Sequence, residues 1–187
     1  MYGTCGVFIA NTLDPEGKCQ KKLTKFLKNI DVYFHPSNSG DWCSLLGLFI
    51  TSLSFSFSER LKNERTTNVV PEPFKLTQKN IDDFVLSLMD VIKLAQFSKS
   101  DSLFDSVSYA VNRLGLIRPG IVVPALMEYI IPGLETVTET HQTTHALELL
   151  TAMGRVLSSK YLSTTTAHTK HTKIFVVSFI SLHTTFS

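Results

Sequence analysis

Between Leu114 and Leu157 the chain reads LGLIRPGIVVPALMEYIIPGLETVTETHQTTHALELLTAMGRVL, two apolar-faced helical patterns joined by a polar turn. Helices joined by a short link fold back as an antiparallel hairpin, and one hairpin cannot hide both of its apolar faces. The first pattern opens on Arg118-Pro119, where proline is tolerated because a first-turn N–H would have no helical partner anyway. Val122, Ala125, Leu126, Tyr129 and Ile130 then recur on one helix face, and Pro132-Gly133 is expected to close it. Thr138 is expected to cap the second helix, with Glu139 near its positive end. Ala146, Leu149, Leu150, Met153, Val156 and Leu157 line one side of that helix. Such a unit must stack on others of its kind.

The preceding chain supplies them. Thr77 reads as an N-cap, with Asp82 and Asp83 in the first turn and Ile81, Phe84, Val85, Leu88, Ile92 and Ala95 facing inward. After a break at Ser98-Lys99-Ser100, Leu103, Val107, Ala110, Val111 and Leu114 form a second inward face, with Gly115 as the expected stop. Further upstream, Leu45, Leu46, Phe49, Ile50 and Leu53 repeat at helical spacing. The SLSFSFS run after them alternates like a strand, but its flanks are helical and a lone strand has no partner. Residues Glu59 to Arg65 read as an exposed mixed-charge end, and Pro71 and Pro73 mark a linker at about 66–76. Asp14-Pro15-Glu16-Gly17 is a turn, and residues 1–13 read as a helix remnant or a cut edge. The expected fold is all-α: an α-solenoid of antiparallel helix hairpins of HEAT or armadillo type over residues 1–158. Residues 159–187 form an irregular Thr-rich tail; its apolar Ile174–Leu182 run is too short to span a bilayer and reads equally as a docking strand or a non-native tail.

Chemistry is sparse. From Lys18 to Ile30, Leu23, Phe26, Leu27 and Ile30 take one helix face, while Lys18, Lys21, Lys22, Lys25 and Lys28 take the other. Those lysines are the candidate interaction face, suited to acidic partners, although a solvated side of a packed helix is the plainer reading. A net charge of +2 is too small for an extended nucleic-acid footprint, so no direct nucleic-acid contact is expected, and no membrane association either. Cys5, Cys19 and Cys43 have no metal or redox spacing, and their odd number fits a reducing compartment. His141 and His145 lie four apart, but Gln142 stands where a zinc-protease helix needs its glutamate. The Asp82-Asp83 pair is explained by the helix dipole. With no nucleophile elbow, phosphate-cradling loop or Cys-X-X-Cys motif, no catalysis, metal or cofactor is expected.

Three stretches carry a resemblance: FKLTQKNIDDFVLSLMDVIKLAQFSKS, LGLIRPGIVVPALMEYIIPGLETVTETHQTTHAL and the upstream FHPSNSGDW. Together, over residues 33–158, they resemble interior repeats of the giant single-chain HEAT-repeat proteasome activators, the proteasome activator complex subunit 4 family. Leu116-Ile117-Arg118-Pro119 and the segments from Leu134-Glu135-Thr136 through His141-Gln142 are its most specific parts. The resemblance implies an α-solenoid dome that caps the core proteasome without ATP. It also implies ubiquitin-independent degradation of peptides and some proteins, acetylated histones among them, in nucleus and cytoplasm, with a link to DNA repair. This chain would contribute scaffold only, any histone contact lying elsewhere in the whole protein. The family docks through a tail with a penultimate tyrosine, whereas this chain ends Thr185-Phe186-Ser187, and the family's acetyl-lysine-reading region has no counterpart. The alternative is an unrelated HEAT-like adaptor that binds acidic partners through the lysine face.

Overall fold

The computed structural model describes residues 2–35, 41–67, 70–95, 98, 100–135 and 140–158, and among them every regular element is helical. In chain order these are α1 (Tyr2–Thr12), α2 (Lys18–Ile30), α3 (Asp41–Thr66), α4 (Gln78–Ala95), α5 (Asp101–Ile117), α6 (Pro119–Glu135), α7 (Thr140–Ala152) and the short α8 (Gly154–Ser158). One-turn 3₁₀ segments at Asp31–Phe34 and Glu72–Phe74 fill two of the connections. The expected linker is therefore the stretch between α3 and α4. Thr138, the expected cap of α7, and the tail at 159–187 lie outside the described residues.

Local chemistry sets several helix starts. Thr77 caps α4 as expected, and Asn80 completes a reciprocal box: the Asn80 N–H donates to Thr77 Oγ1 at 3.3 Å, and the Thr77 N–H donates to Asn80 Oδ1 at 2.9 Å. Ser100 caps α5, accepting from the Leu103 N–H at 3.4 Å. Two expected stops are overridden. Gly115 does not end α5, which runs to Ile117, and Pro132-Gly133 does not end α6, which runs to Glu135 with Pro124 and Pro132 inside. Each internal proline forfeits a helical hydrogen bond, a loss of about 3 kcal/mol or more in an ordinary helix interior. Here Pro124 and Pro132 are exposed, as are Gly120 and Glu128 four residues back, so water can take the freed carbonyls while Val122, Val123, Leu126, Met127 and Ile130 hold the helix by burial.

The helices form two rows. α3 packs along α1 and α5, which continues to α7 and α8; α4 packs between α2 and α6. One apolar core runs between the rows, and every inward residue named for α4, α5 and the α7–α8 segment is buried in it. Phe57 of α3 and Phe84 of α4 stack across the rows with centroids 3.6 Å apart.

Within the row that holds α1, α3, α5, α7 and α8, helices come close where a glycine faces its neighbour. A Cβ at Gly6 would lie 2.6 Å from the Leu53 backbone N and 2.9 Å from the Ser52 carbonyl carbon. At Gly47 it would lie 2.5 Å from Ser106 Oγ, and at Gly115 2.8 Å from Val156 Cγ2. Gly115 is thus a packing residue inside α5 rather than its terminus.

The charged end of α3 is exposed at Lys62, Asn63 and Arg65, as its composition suggests, but not at Arg60 and Glu64. Arg60 and Glu64 side chains are only 10% and 5% accessible, and Arg60 Nε meets Glu64 Oε1 at 2.7 Å. Arg60 Nη1 also donates to the carbonyls of Ala10 and Leu13, each at 2.8 Å, and Nη2 reaches the Phe74 carbonyl at 3.4 Å. Glu64 Oε2 accepts the Leu76 N–H at 3.0 Å. One ion pair thereby joins the end of α1, the shaft of α3 and the linker into α4.

Two outcomes test this packing. Gly6→Ala should lower stability by about 1–3 kcal/mol in urea unfolding, because the backbone of α3 must move, whereas Gly120→Ala, with nothing near its Cβ, should be neutral or stabilising. Arg60→Met should cost about 3–5 kcal/mol by leaving Glu64 buried without its cation, and adding Glu64→Met should recover part of that loss.

Candidate interaction surfaces

Helix α2 spans Lys18–Ile30 as its periodicity predicts, with Leu23 and Leu27 buried. Its start is organised by Asp14, four residues upstream. The carboxylate accepts the backbone N–H groups of Lys18 at 3.0 Å and Cys19 at 2.6 Å, satisfying donors that an N-terminal turn leaves open. Gly17 permits the reversal with φ 75°, a left-handed conformation that glycine adopts without a Cβ penalty. The Cys19 N–H is the foremost cause that holds the Asp14 carboxyl down from 3.8 to about 2, and the same carboxylate raises the Cys19 thiol above its ordinary range.

All five candidate lysines are exposed along one side of α2. Lys18 pairs with Glu16. Lys21, Lys22, Lys25 and Lys28 have no ion-pair partner among the described residues. α2 itself carries no acidic residue, so the stripe keeps its positive field.

Sequence periodicity places Phe26 on the inward face, but it is 44% exposed on the flank, its ring meeting Phe49 edge-on at 5.8 Å. The reason is angular: α2 buries Leu23 and Leu27 against the core, and Phe26 lies round the helix toward α1. There it helps line a groove of about 430 Å³ between α1 and α2, with Phe8, Ile9, Leu13, Leu23 and, on its basic side, Lys22. The opposite flank of α2 meets α4 through polar contacts: Gln20 Nε2 donates to Ser87 Oγ at 3.3 Å, and Thr24 and Ser87 hydroxyls lie 2.8 Å apart.

Other residues singled out in the sequence serve packing. Asp82 does more than meet a helix dipole, since Arg118, at the start of α6, reaches back to it with Nη2–Oδ2 at 2.8 Å and Nε–Oδ1 at 2.5 Å. His145 is buried and stacks on Phe104 with centroids 4.1 Å apart, while the His141 side chain lies outside the described residues. No group of three or more His, Cys, Asp or Glu placed to hold a metal occurs among the described residues, and no described helix is long and apolar enough to cross a membrane.

Stacked antiparallel helices in two rows around one continuous core define an α-solenoid built from helical hairpins. Its residues 23–171 match the family described as "Proteasome activator complex subunit 4, mid HEAT repeats region", and the chain belongs to that family. The match begins before the resemblance read from sequence and continues into the Thr-rich stretch. Proteasome activator complex subunit 4 of Xenopus laevis is 37% identical over 150 residues, covering 78% of this chain and 8% of the relative. The human protein of that name is 36% identical over 150 residues with the same coverage, and Proteasome activator subunit 4 of Arabidopsis thaliana is 29% identical over 152, covering 81% and 8%. The chain spans about 8% of the length of these relatives.

The Asp14 contacts predict a pH dependence. A carboxyl of about 2 in the fold against 3.8 when unfolded stabilises the protein above the higher value, and that contribution is lost as pH falls through the lower one. Asp14→Asn should therefore melt below the parent chain at neutral pH, with the gap narrowing as the pH of the melts falls from about 4 to about 2.

Proposed function

We propose that this chain is a scaffold segment of an ATP-independent proteasome activator, in which hairpin stacking gives shape to a cap over the core proteasome and no catalysis occurs in the segment itself. The family match carries the proposal, and the packing agrees with it: the largely buried Arg60–Glu64 pair and the half-buried Arg118–Asp82 pair join segments of the stack to one another. In this reading residues 1–158 work as one stacked unit and 159–187 as an appendage, within a larger protein that acts in nucleus and cytoplasm on peptides and on proteins such as acetylated histones. Nothing favours the unrelated adaptor, because the same helices are accounted for by the family. The lysine face remains a surface of this segment.

Affinity purification of the full gene product, performed without ATP, should recover core proteasome subunits. The isolated 187-residue chain should leave the rate of fluorogenic-peptide hydrolysis by purified core proteasome unchanged. Loss of the proteasome from the first experiment would overturn the activator reading, and stimulation in the second would overturn the scaffold-only role.

A further inference from the structure

The groove between α1 and α2 combines an apolar lining with a basic bank. Its lining is apolar, with Phe8 at 69% and Phe26 at 44% exposure, while Lys22 stands in its wall and Lys18 and Lys25 follow on the adjoining side of α2. Nearby acids do not neutralise this side. Asp14 is turned onto the backbone N–H groups of Lys18 and Cys19, Glu16 is held by Lys18, and α1 has no charged residue at all.

We infer that this groove is a docking site for an acidic amphipathic helix, whose apolar side chains enter between Phe8, Leu23 and Phe26 and whose carboxylates lie along Lys22 and Lys25. Charge selects this occupant over the two nearest alternatives. A second copy would present an uncharged α1 and another lysine stripe, setting like charges opposite each other. The chain's own segment 159–187 carries Lys160, Lys170 and Lys173 and no Asp or Glu, so it too would meet the stripe with the wrong sign. Helix-in-groove recognition reads anchors at i, i+3, i+4 and i+7, a pattern that fits an apolar channel with one charged bank. Lysine ammoniums on flexible stems act as point charges, so the surface selects acidic character rather than one fixed carboxylate geometry. The inference stands independently of proteasome association.

The test uses the full 187-residue chain and a fluorescein-labelled peptide of about 16 residues, with Leu and Phe at those anchor positions and Glu elsewhere. Its control carries Lys in place of every Glu. Fluorescence anisotropy should show saturable binding of the acidic peptide at tens of micromolar, and none of the basic one. Lys22→Glu/Lys25→Glu and, separately, Phe8→Ser should each weaken binding about tenfold, with circular dichroism confirming that these exposed substitutions keep the helical fold. Salt at about 1 M should weaken it as well. Absence of binding, equal binding of both peptides, or indifference to lysine reversal would overturn the inference. Concentration-dependent dimerisation abolished by Phe8→Ser would assign the groove to a second copy, and peptide binding that appears only after removal of 159–187 would assign it to the tail; either result overturns it.

Discussion

A guanidinium buried toward the end of α3 holds three segments in register: the end of α1, α3 itself and the linker into α4. Arg60 takes the carbonyls of Ala10 and Leu13, where α1 runs out and has orphan acceptors, and its partner Glu64 takes the Leu76 N–H just before α4. A cation at the C-terminal end of a helix also meets the negative end of its dipole. Burying this pair has a desolvation penalty, but Arg60 Nη1 and Nη2 and Glu64 Oε2 bond backbone groups of α1's end and the linker, which offsets part of it. The turn holding Asp14 is thereby fixed, and with it the start of α2 and the position of the lysine stripe. The surface on α2 depends on an ion pair carried by the next helix, α3.

The two rows cohere by different means. α1, α3 and α5 approach through glycine against serine, at Gly6 with Ser52 and Gly47 with Ser106, so backbones rather than long side chains set the spacing. α2 and α4 meet through Gln20, Thr24 and Ser87, polar side chains that hold their helices farther apart. Unequal spacing in two stacked rows disposes an array to curve toward the tighter one, and curvature is how a solenoid converts local packing into a large shaped surface. A scaffold of this type needs no catalytic residue to have a function; the sizes of a few facing side chains set its form.

Much of this was legible in the chain. The inward faces of α4, α5 and α7–α8 follow from periodicity alone, because each helix buries a single continuous stripe. The Thr77 cap and the span of α2 follow from local chemistry as well. What sequence hid was tertiary. Arg60 and Glu64 sit in a stretch of alternating charge, and nothing local tells that carbonyls from residues 10 and 13 will arrive beside them. Gly115 reads as a helix stop because glycine often is one, yet here it admits Val156 from α8. Phe26 was placed in the core by its spacing, and only the position of α1 turns it into a groove wall. Of the candidate site, the lysines were readable and the apolar half was not.

The Arg60–Glu64 and Arg118–Asp82 pairs both lie against places where helices begin and end, and this explains why the fold tolerates them. Arg118 stands at the junction of α5 and α6 and reaches Asp82 in the first turns of α4; Arg60 and Glu64 stand where α1 ends and α4 begins. Termini are the places where backbone groups lack helical partners, so a charge there has hydrogen bonds waiting for it. Along the shafts most backbone groups are already used, and contact is left to apolar, small and uncharged polar side chains, Gln20, Thr24 and Ser87 among them. Shaft residues therefore govern how closely neighbouring helices approach, while the ionic residues govern the angle at which the chain turns from one helix into the next. A repeat array built this way separates spacing from orientation, and so can vary the shape of its surface one junction at a time.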